Sequence, residues 1–229
     1  MSTTKQFIEL RIACERGDLP LVENLLQHEH VDPSMNYNMA IQVASMNGHL
    51  SIVKRLLQDP RVNPADLDNS ALISALFNEK PRIVRYLLDD PRVYDTVNKN
   101  YIFQRSAGFG FHAVVQRLLQ YPTVDPTESE SIALRMAAMH GHLHVVQLLL
   151  KDGRADPTSW SNYALGMAKF YKYNDVVECL QQDERVNPLI AQQRMMDRCR
   201  AIKEDLMIKA WHPSRVEKLL LAGYDIEDM

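Results

Sequence analysis

The chain is short of the features that usually announce chemistry. Its 229 residues include only three cysteines, Cys14, Cys179 and Cys199, an odd number without framework spacing. A disulfide scaffold is therefore not expected, and a reducing, cytoplasmic setting fits best. No stretch approaches the roughly 18 uninterrupted apolar residues that span a bilayer, and the opening MSTTKQFIEL lacks the apolar run of a signal peptide. A soluble intracellular protein with no membrane partner is the expectation. Charge of one sign is scarce as well. A net charge of -3 and a pI near 6.2 supply no bulk attraction to nucleic acid, so no nucleic-acid partner is expected. The 8 glycines build neither a phosphate-cradling loop nor a nucleophile elbow, and no HExxH segment occurs. These absences predict a chain that is not an enzyme and carries no cofactor.

What the sequence has is repetition. Val22, Val53, Val84, Val115, Val146 and Val177 stand 31 residues apart, and Leu25, Leu56, Leu87, Leu118, Leu149 and Leu180 keep the same register. Ala13, Ala44, Ala75, Ser106, Ala137 and Ala168 form a third column of small residues. A fourth holds Pro33, Pro64, Pro126, Pro157 and Pro188, with Asp95 as its exception. Six copies in one register predict a repeat array, with 46% hydrophobic residues enough for a core shared along the chain.

Each copy reads as two helices. In the second, Ala40, Ile41, Ala44 and Ser45 lie at helical spacing, followed by Ile52, Val53, Leu56 and Leu57. The column Asn38, Asn69, Asn100, Ser131 and Asn162 precedes the first helix and is expected to cap it, since these side chains accept free amide hydrogens at helix starts. Gly17, Gly48, Gly110 and Gly141 fall where the chain must reverse, and a left-handed residue is expected there. Glu79 and Lys172 replace that glycine in the third and sixth copies, so both turns must take positive φ or reshape. Pro81 suits the first turn of a second helix. Asp59-Pro60 and Asp90-Pro91 close such helices.

The segments AIQVASMNGHLSIVKRLL and ALRMAAMHGHLHVVQLLL resemble the ankyrin repeat in their glycine-histidine turn and Val-x-x-Leu-Leu second helix. The resemblance covers residues 7 to 188 and implies an all-α dominated ankyrin-repeat solenoid of about seven helix-turn-helix units. Asn-x-Ala-aliphatic replaces the family's usual Thr-Pro-Leu-His start and the unit is about two residues short, so shortened interrepeat fingers are expected. One domain, 1-229, is expected: six units over 1-188 and an enlarged C-terminal capping unit over 189-229. Units of this short type are similar to those of expanded families in amoebae, fungi and giant viruses, which suggests a host-directed factor.

The residues that could carry chemistry read better as structure. His140, His142 and His144 crowd together, but His142 shares a column with His49, where the resemblance implies a structural hydrogen bond; no metal site is expected. Cys14 lies beside Ala13 among small packed residues. Asp59, Asp90, Asp152 and Asp183 recur two residues before Arg61, Arg92, Arg154 and Arg185, a pattern of surface ion pairs along the stack.

The resemblance also implies where a partner would bind: at the finger tips and the two residues before the turn glycine. Those pairs include Met46-Asn47, Phe77-Asn78, Gly108-Phe109, Met139-His140 and Phe170-Tyr171, so Met46, Phe77, Phe109, Met139 and Phe170 form either an interaction strip or ordinary core. Tyr37 and Trp160 add aromatic fingers, and Asp66, Asp68, Glu128 and Glu130 an acidic rim. The expected function is non-catalytic: a protein-protein interaction module binding an unidentified protein partner on its concave face, as a monomer. The alternative is a self-assembling scaffold that forms a homo-oligomer through the same strip or the C-terminal helix around Met195 and Met196.

Overall fold

The computed structural model describes residues 3–188, and the proposed capping segment 189-229, with Met195 and Met196, lies outside them. The described residues form thirteen helices and no strand. Nearly all belong to one compact unit, Met1–Leu180, and those from Gln181 onward to a second.

Within the first unit the helices make two rows. First helices α1 (Thr3–Arg16), α3 (Met35–Asn47) and α5 (Asp66–Phe77) pack successively on one another, as do α8 (Lys99–Gly108), α10 (Glu128–Met139) and α12 (Ser159–Phe170). Second helices α2 (Leu19–Leu25), α4 (Leu50–Leu57), α6 (Pro81–Leu88), α9 (His112–Leu118) and α11 (Leu143–Asp152) form the other row. The short α7 (Pro91–Tyr94) stands in the fourth finger, and α13 (Asn174–Gln181) is the last second helix among the described residues.

The sequence columns are the core between these rows. Val53, Val84, Val115 and Val146 are fully buried, as are Leu56, Leu87, Leu118 and Leu149. The small column is buried too, with Ala44, Ala75, Ser106 and Ala137 allowing first helices to approach closely. Burial of a valine or leucine side chain contributes about 1.5–3 kcal/mol, so one repeat's two columns stabilise the stack by several kcal/mol.

All four turn glycines adopt the left-handed conformation, and Glu79 and Lys172 adopt it as well, at φ 57° and 62°. Pro81 opens α6 at its first position. The histidine column explains why glycine is needed at two of these turns. His49 Nε2 bonds the Glu15 carbonyl at 3.0 Å and His142 Nε2 bonds the Gly108 carbonyl at 2.9 Å, each reaching one repeat back. A Cβ on Gly17 would lie 2.6 Å from the His49 ring, and one on Gly110 would lie 2.6 Å from His142 Nδ1.

The shortened fingers are built on a tight left-handed turn. Asn36–Tyr37–Asn38, Leu67–Asp68–Asn69, Ser129–Glu130–Ser131 and Trp160–Ser161–Asn162 are each three consecutive left-handed residues, with φ between 50° and 66°. Such a turn costs roughly 1–2 kcal/mol per non-glycine residue, so specific bonds must hold it. Gln42 Nε2 donates to the Tyr37 carbonyl at 2.6 Å, and Arg135 donates to the carbonyls of Ser129 and Glu130 at 2.8 and 3.0 Å. Buried Pro33, Pro64, Pro126 and Pro157 anchor the approach to each turn.

The asparagine column is therefore not a set of N-caps. An N-cap has extended backbone and accepts from an amide two or three residues ahead. Left-handed Asn38 instead accepts from the Asn63 amide at 2.9 Å, and Ser131 from the Asp156 amide at 2.8 Å. Right-handed Asn100 does the same for the Asp125 amide at 2.9 Å, while Asn69 accepts from the Thr96 hydroxyl at 3.1 Å. These four residues each tie one finger to the next. In the fourth unit Asn98, two residues earlier, is the N-cap, accepting from the Tyr101 amide at 3.0 Å.

The aspartate–arginine pairs form at 2.7–2.8 Å, but they do not bridge repeats by themselves. The link is the arginine's other amino group. Arg61, Arg92 and Arg154 donate to the carbonyls of Val31, Val62 and Val124 in the preceding unit at 3.0, 2.8 and 3.1 Å.

Candidate functional site

The pre-turn residues stand at the C-terminal ends of the first helices, where each chain segment leaves helix geometry and turns. Met46 is 39% exposed, Phe77 46% and Phe170 71%. Phe109 and Met139 are half-buried, and Phe109 packs against the core. The five predicted strip residues thus divide into three exposed side chains and two partly embedded ones. Phe77 and Phe109 meet edge to face, with ring centroids 6.2 Å apart, and Phe109 stacks on Phe111 at 5.5 Å. At the other end of the series, Phe170 meets Tyr171 at 5.0 Å, and Tyr171 stacks on Tyr173 at 6.1 Å.

The second residue of three pairs turns back on its own helix. Asn47 donates to the Val43 carbonyl at 2.8 Å, Asn78 to the Ser74 carbonyl at 2.8 Å, and His140 Nδ1 bonds the Met136 carbonyl at 2.9 Å. The Ser74 and Met136 carbonyls already accept the backbone amides of Asn78 and His140, so these side chains add a second bond at the helix end. They shape the rim between the apolar side chains.

Two features escaped the sequence reading. Arg105, one turn before Phe109 on α8, carries its guanidinium 5.2 Å from the Phe77 centroid and 5.4 Å from that of Phe109. Its four-residue spacing from Phe109 was a usable signal. Leu67, 56% exposed on a finger, was also missed, because its exposure follows from the left-handed turn. The predicted finger residues Tyr37 and Trp160 are 68% and 58% exposed. Trp160 covers the Arg135 guanidinium at 4.1 Å and meets Tyr163 edge-on at 5.8 Å.

The titratable groups have structural duties. Cys14 is fully buried, and desolvation pushes its thiol up to about 12, far from a reactive thiolate. Burial lowers the His142 pKa, opposed by its bond to Gly108 and assisted by neighbouring His140. The paired arginines, through their side-chain bonds first, hold Asp59, Asp90 and Asp152 below the ordinary aspartate value. Among the described residues no cluster of three potential metal ligands occurs, and no helix is long and apolar enough to cross a membrane.

Comparison with known proteins agrees with this architecture. A family model for ankyrin repeats in three copies matches residues 10–100, and a model for a single ankyrin repeat matches residues 131–163. No curated protein matches the chain significantly. Among solved structures, similarity is found to a chain of the complex of the predatory endopeptidase Bd0816 from Bdellovibrio bacteriovorus with the immunity protein Bd3460. The two chains are 26% identical with a TM-score of 0.53, over 76% of this chain and 97% of that one. With matches spanning more than half its length and the helix pairs, turn glycines and shared core in place, the chain belongs to the ankyrin repeat family.

Proposed function

We propose that this protein is a non-catalytic binding module whose partner protein docks across the pre-turn ends of the first helices and the finger tips, the concave side of an ankyrin stack. One observation carries the reading. Of ten exposed large apolar or aromatic side chains among the described residues, seven sit at these two places: Met46, Phe77, Phe170 and Tyr171 before turns, and Tyr37, Leu67 and Trp160 on fingers. Exposed aromatic side chains concentrated on one structural position mark interaction surfaces, and aromatic anchors dominate interface energetics. The rigid stack favours this use, since a preformed surface loses little conformational freedom on docking. Phe109, Met139, Asn47, Asn78 and His140 complete the proposed surface as partly embedded contacts and rim. That the similar solved chain comes from a two-protein complex supports the same reading.

The test is capture of partners from lysate by wild type and by a Phe77→Ser, Phe109→Ser, Phe170→Ser variant, both first shown to be folded by circular dichroism. A partner retained by wild type and lost by the variant is the expected result. Equal recovery by both moves the binding surface elsewhere. Light scattering that finds a stable dimer at every concentration would replace this reading with self-assembly.

A further inference from the structure

We propose that the pocket beside the Phe77–Phe109 pair is a carboxylate subsite, taking an acidic side chain of a partner segment whose flanking apolar residue packs on the two rings. The inference rests on the binding-module reading and names the chemistry one part of that surface selects. The pocket, about 420 Å³ in volume, is lined by Arg105, Phe109, Met136, His140, His142 and Glu79. Arg105 is its single permanent cation. Its Nε–H is buried and donates to nothing, and the guanidinium makes no ion pair with any described residue. By contrast, Arg61, Arg92 and Arg154 each satisfy a carboxylate and a carbonyl.

Phe77 and Phe109 attract the guanidinium through their ring faces, but rings offer no in-plane acceptor for its N–H groups. A carboxylate supplies that acceptor to the two terminal amino groups, end-on, with the planar two-point geometry an arginine fork matches, and leaves the buried Nε–H as a neighbouring reporter. The partner side chain must be short enough to leave its neighbours on Phe77, whose ring is 46% exposed. Glu79 lines the same pocket without pairing with Arg105, and its left-handed backbone at φ 57° fixes where its side chain starts. It repels an incoming carboxylate and would attract a cation. The signs of two substitutions therefore separate an acidic occupant from a basic one.

The experiment titrates acetyl-Leu-Glu-Leu-amide, and its Leu-Gln-Leu and Leu-Lys-Leu counterparts, into the full-length protein labelled with 15N. The Arg105 Nε–H resonance is the reporter. The glutamate peptide should shift that resonance and bind about 5-fold tighter than the glutamine peptide, as one charge-assisted contact implies. Arg105→Gln should remove the preference, and Glu79→Gln should strengthen binding of the glutamate peptide by about 3-fold. Circular dichroism checks both variants, and Glu79 is exposed, so its variant gives an answer even if Arg105→Gln misfolds. Equal binding of the glutamate and glutamine peptides, a preference that survives Arg105→Gln, or tightest binding by the lysine peptide overturns the subsite. If that happens while the Phe77, Phe109, Phe170 triple variant still loses its protein partner, the docking surface stands without it. If the triple variant loses nothing, both readings fall.

Discussion

Replacing Gly110 with alanine should destabilise the protein more than the same change at Gly48, although both residues occupy the same turn. Both are left-handed, at φ 73° and 89°, so both substitutions incur the same backbone term. That term is about 1–2 kcal/mol, reduced by roughly 0.4–1 kcal/mol because alanine also restricts the unfolded chain. The new Cβ meets different surroundings. At Gly48 it lies 3.1 Å from Cδ of Lys80, a flexible chain that can move aside. At Gly110 it lies 2.6 Å from Nδ1 of His142, whose ring is held by the Gly108 carbonyl. Displacing that ring forfeits the hydrogen bond and its packing, a further cost of about 1–2 kcal/mol. We therefore expect about 0.5–1 kcal/mol for Gly48→Ala and about 2–3 kcal/mol for Gly110→Ala. Urea unfolding followed by circular dichroism measures both, with m-values compared because repeat arrays can lose two-state behaviour. In a Gly110→Ala, His142→Ala pair, the clash term should vanish, leaving the two losses sub-additive. Equal costs at Gly110 and Gly48, or strict additivity in the pair, would refute the view that the histidine ladder dictates glycine.

Other expectations follow from the same contacts. Asp59, Asp90 and Asp152 have folded pKa values below the unfolded value of 3.8, so their contribution is present above that value and is lost as pH falls through the folded ones. Arg92→Met should flatten that acid limb of the stability–pH curve and cost about 1–2 kcal/mol at neutral pH, counting the lost carbonyl tie. His142, lowered by burial, adds an earlier component that is complete above its unfolded value near 6.5 and lost below it; His142→Phe should remove it from thermal melts taken between pH 7 and 5. Asn38→Ala should cost about 1 kcal/mol and speed hydrogen exchange at the Asn63 amide while sparing the Asp125 amide, whose partner is Asn100. A thiol-reactive probe at pH 8 should label Cys14 only on unfolding, since its thiolate is suppressed by burial.

How far the sequence led depended on whether a residue's duty lies inside its own repeat. The Val53 and Leu56 columns, the Gly48 turn, Pro81 and the left-handed Glu79 all follow from local spacing, and each appears where expected. The asparagine column misled because asparagine favours both N-caps and left-handed turns, and the group that decides between them, the Asn63 amide for Asn38, is 25 residues away. Likewise Asp59 and Arg61 read as an ion pair, yet the arginine's bond to the Val31 carbonyl needs the stack to be built first. At the candidate surface the positions were legible and the contacts were not. Phe77 and Phe109 lie about one repeat apart, and the spacing of Arg105 from Phe109 hinted at their contact, but its approach to Phe77 needs α8 packed beside α5.

The central claim is that a partner protein covers the pre-turn helix ends and fingers. Hydrogen exchange measured by mass spectrometry, with and without a captured partner, tests it most directly. The account predicts slowed exchange across the turns that follow Met46, Phe77, Phe109, Met139 and Phe170, and in the fingers at Tyr37 and Trp160. Protection confined to the second helices α4, α6, α9 and α11 would contradict it.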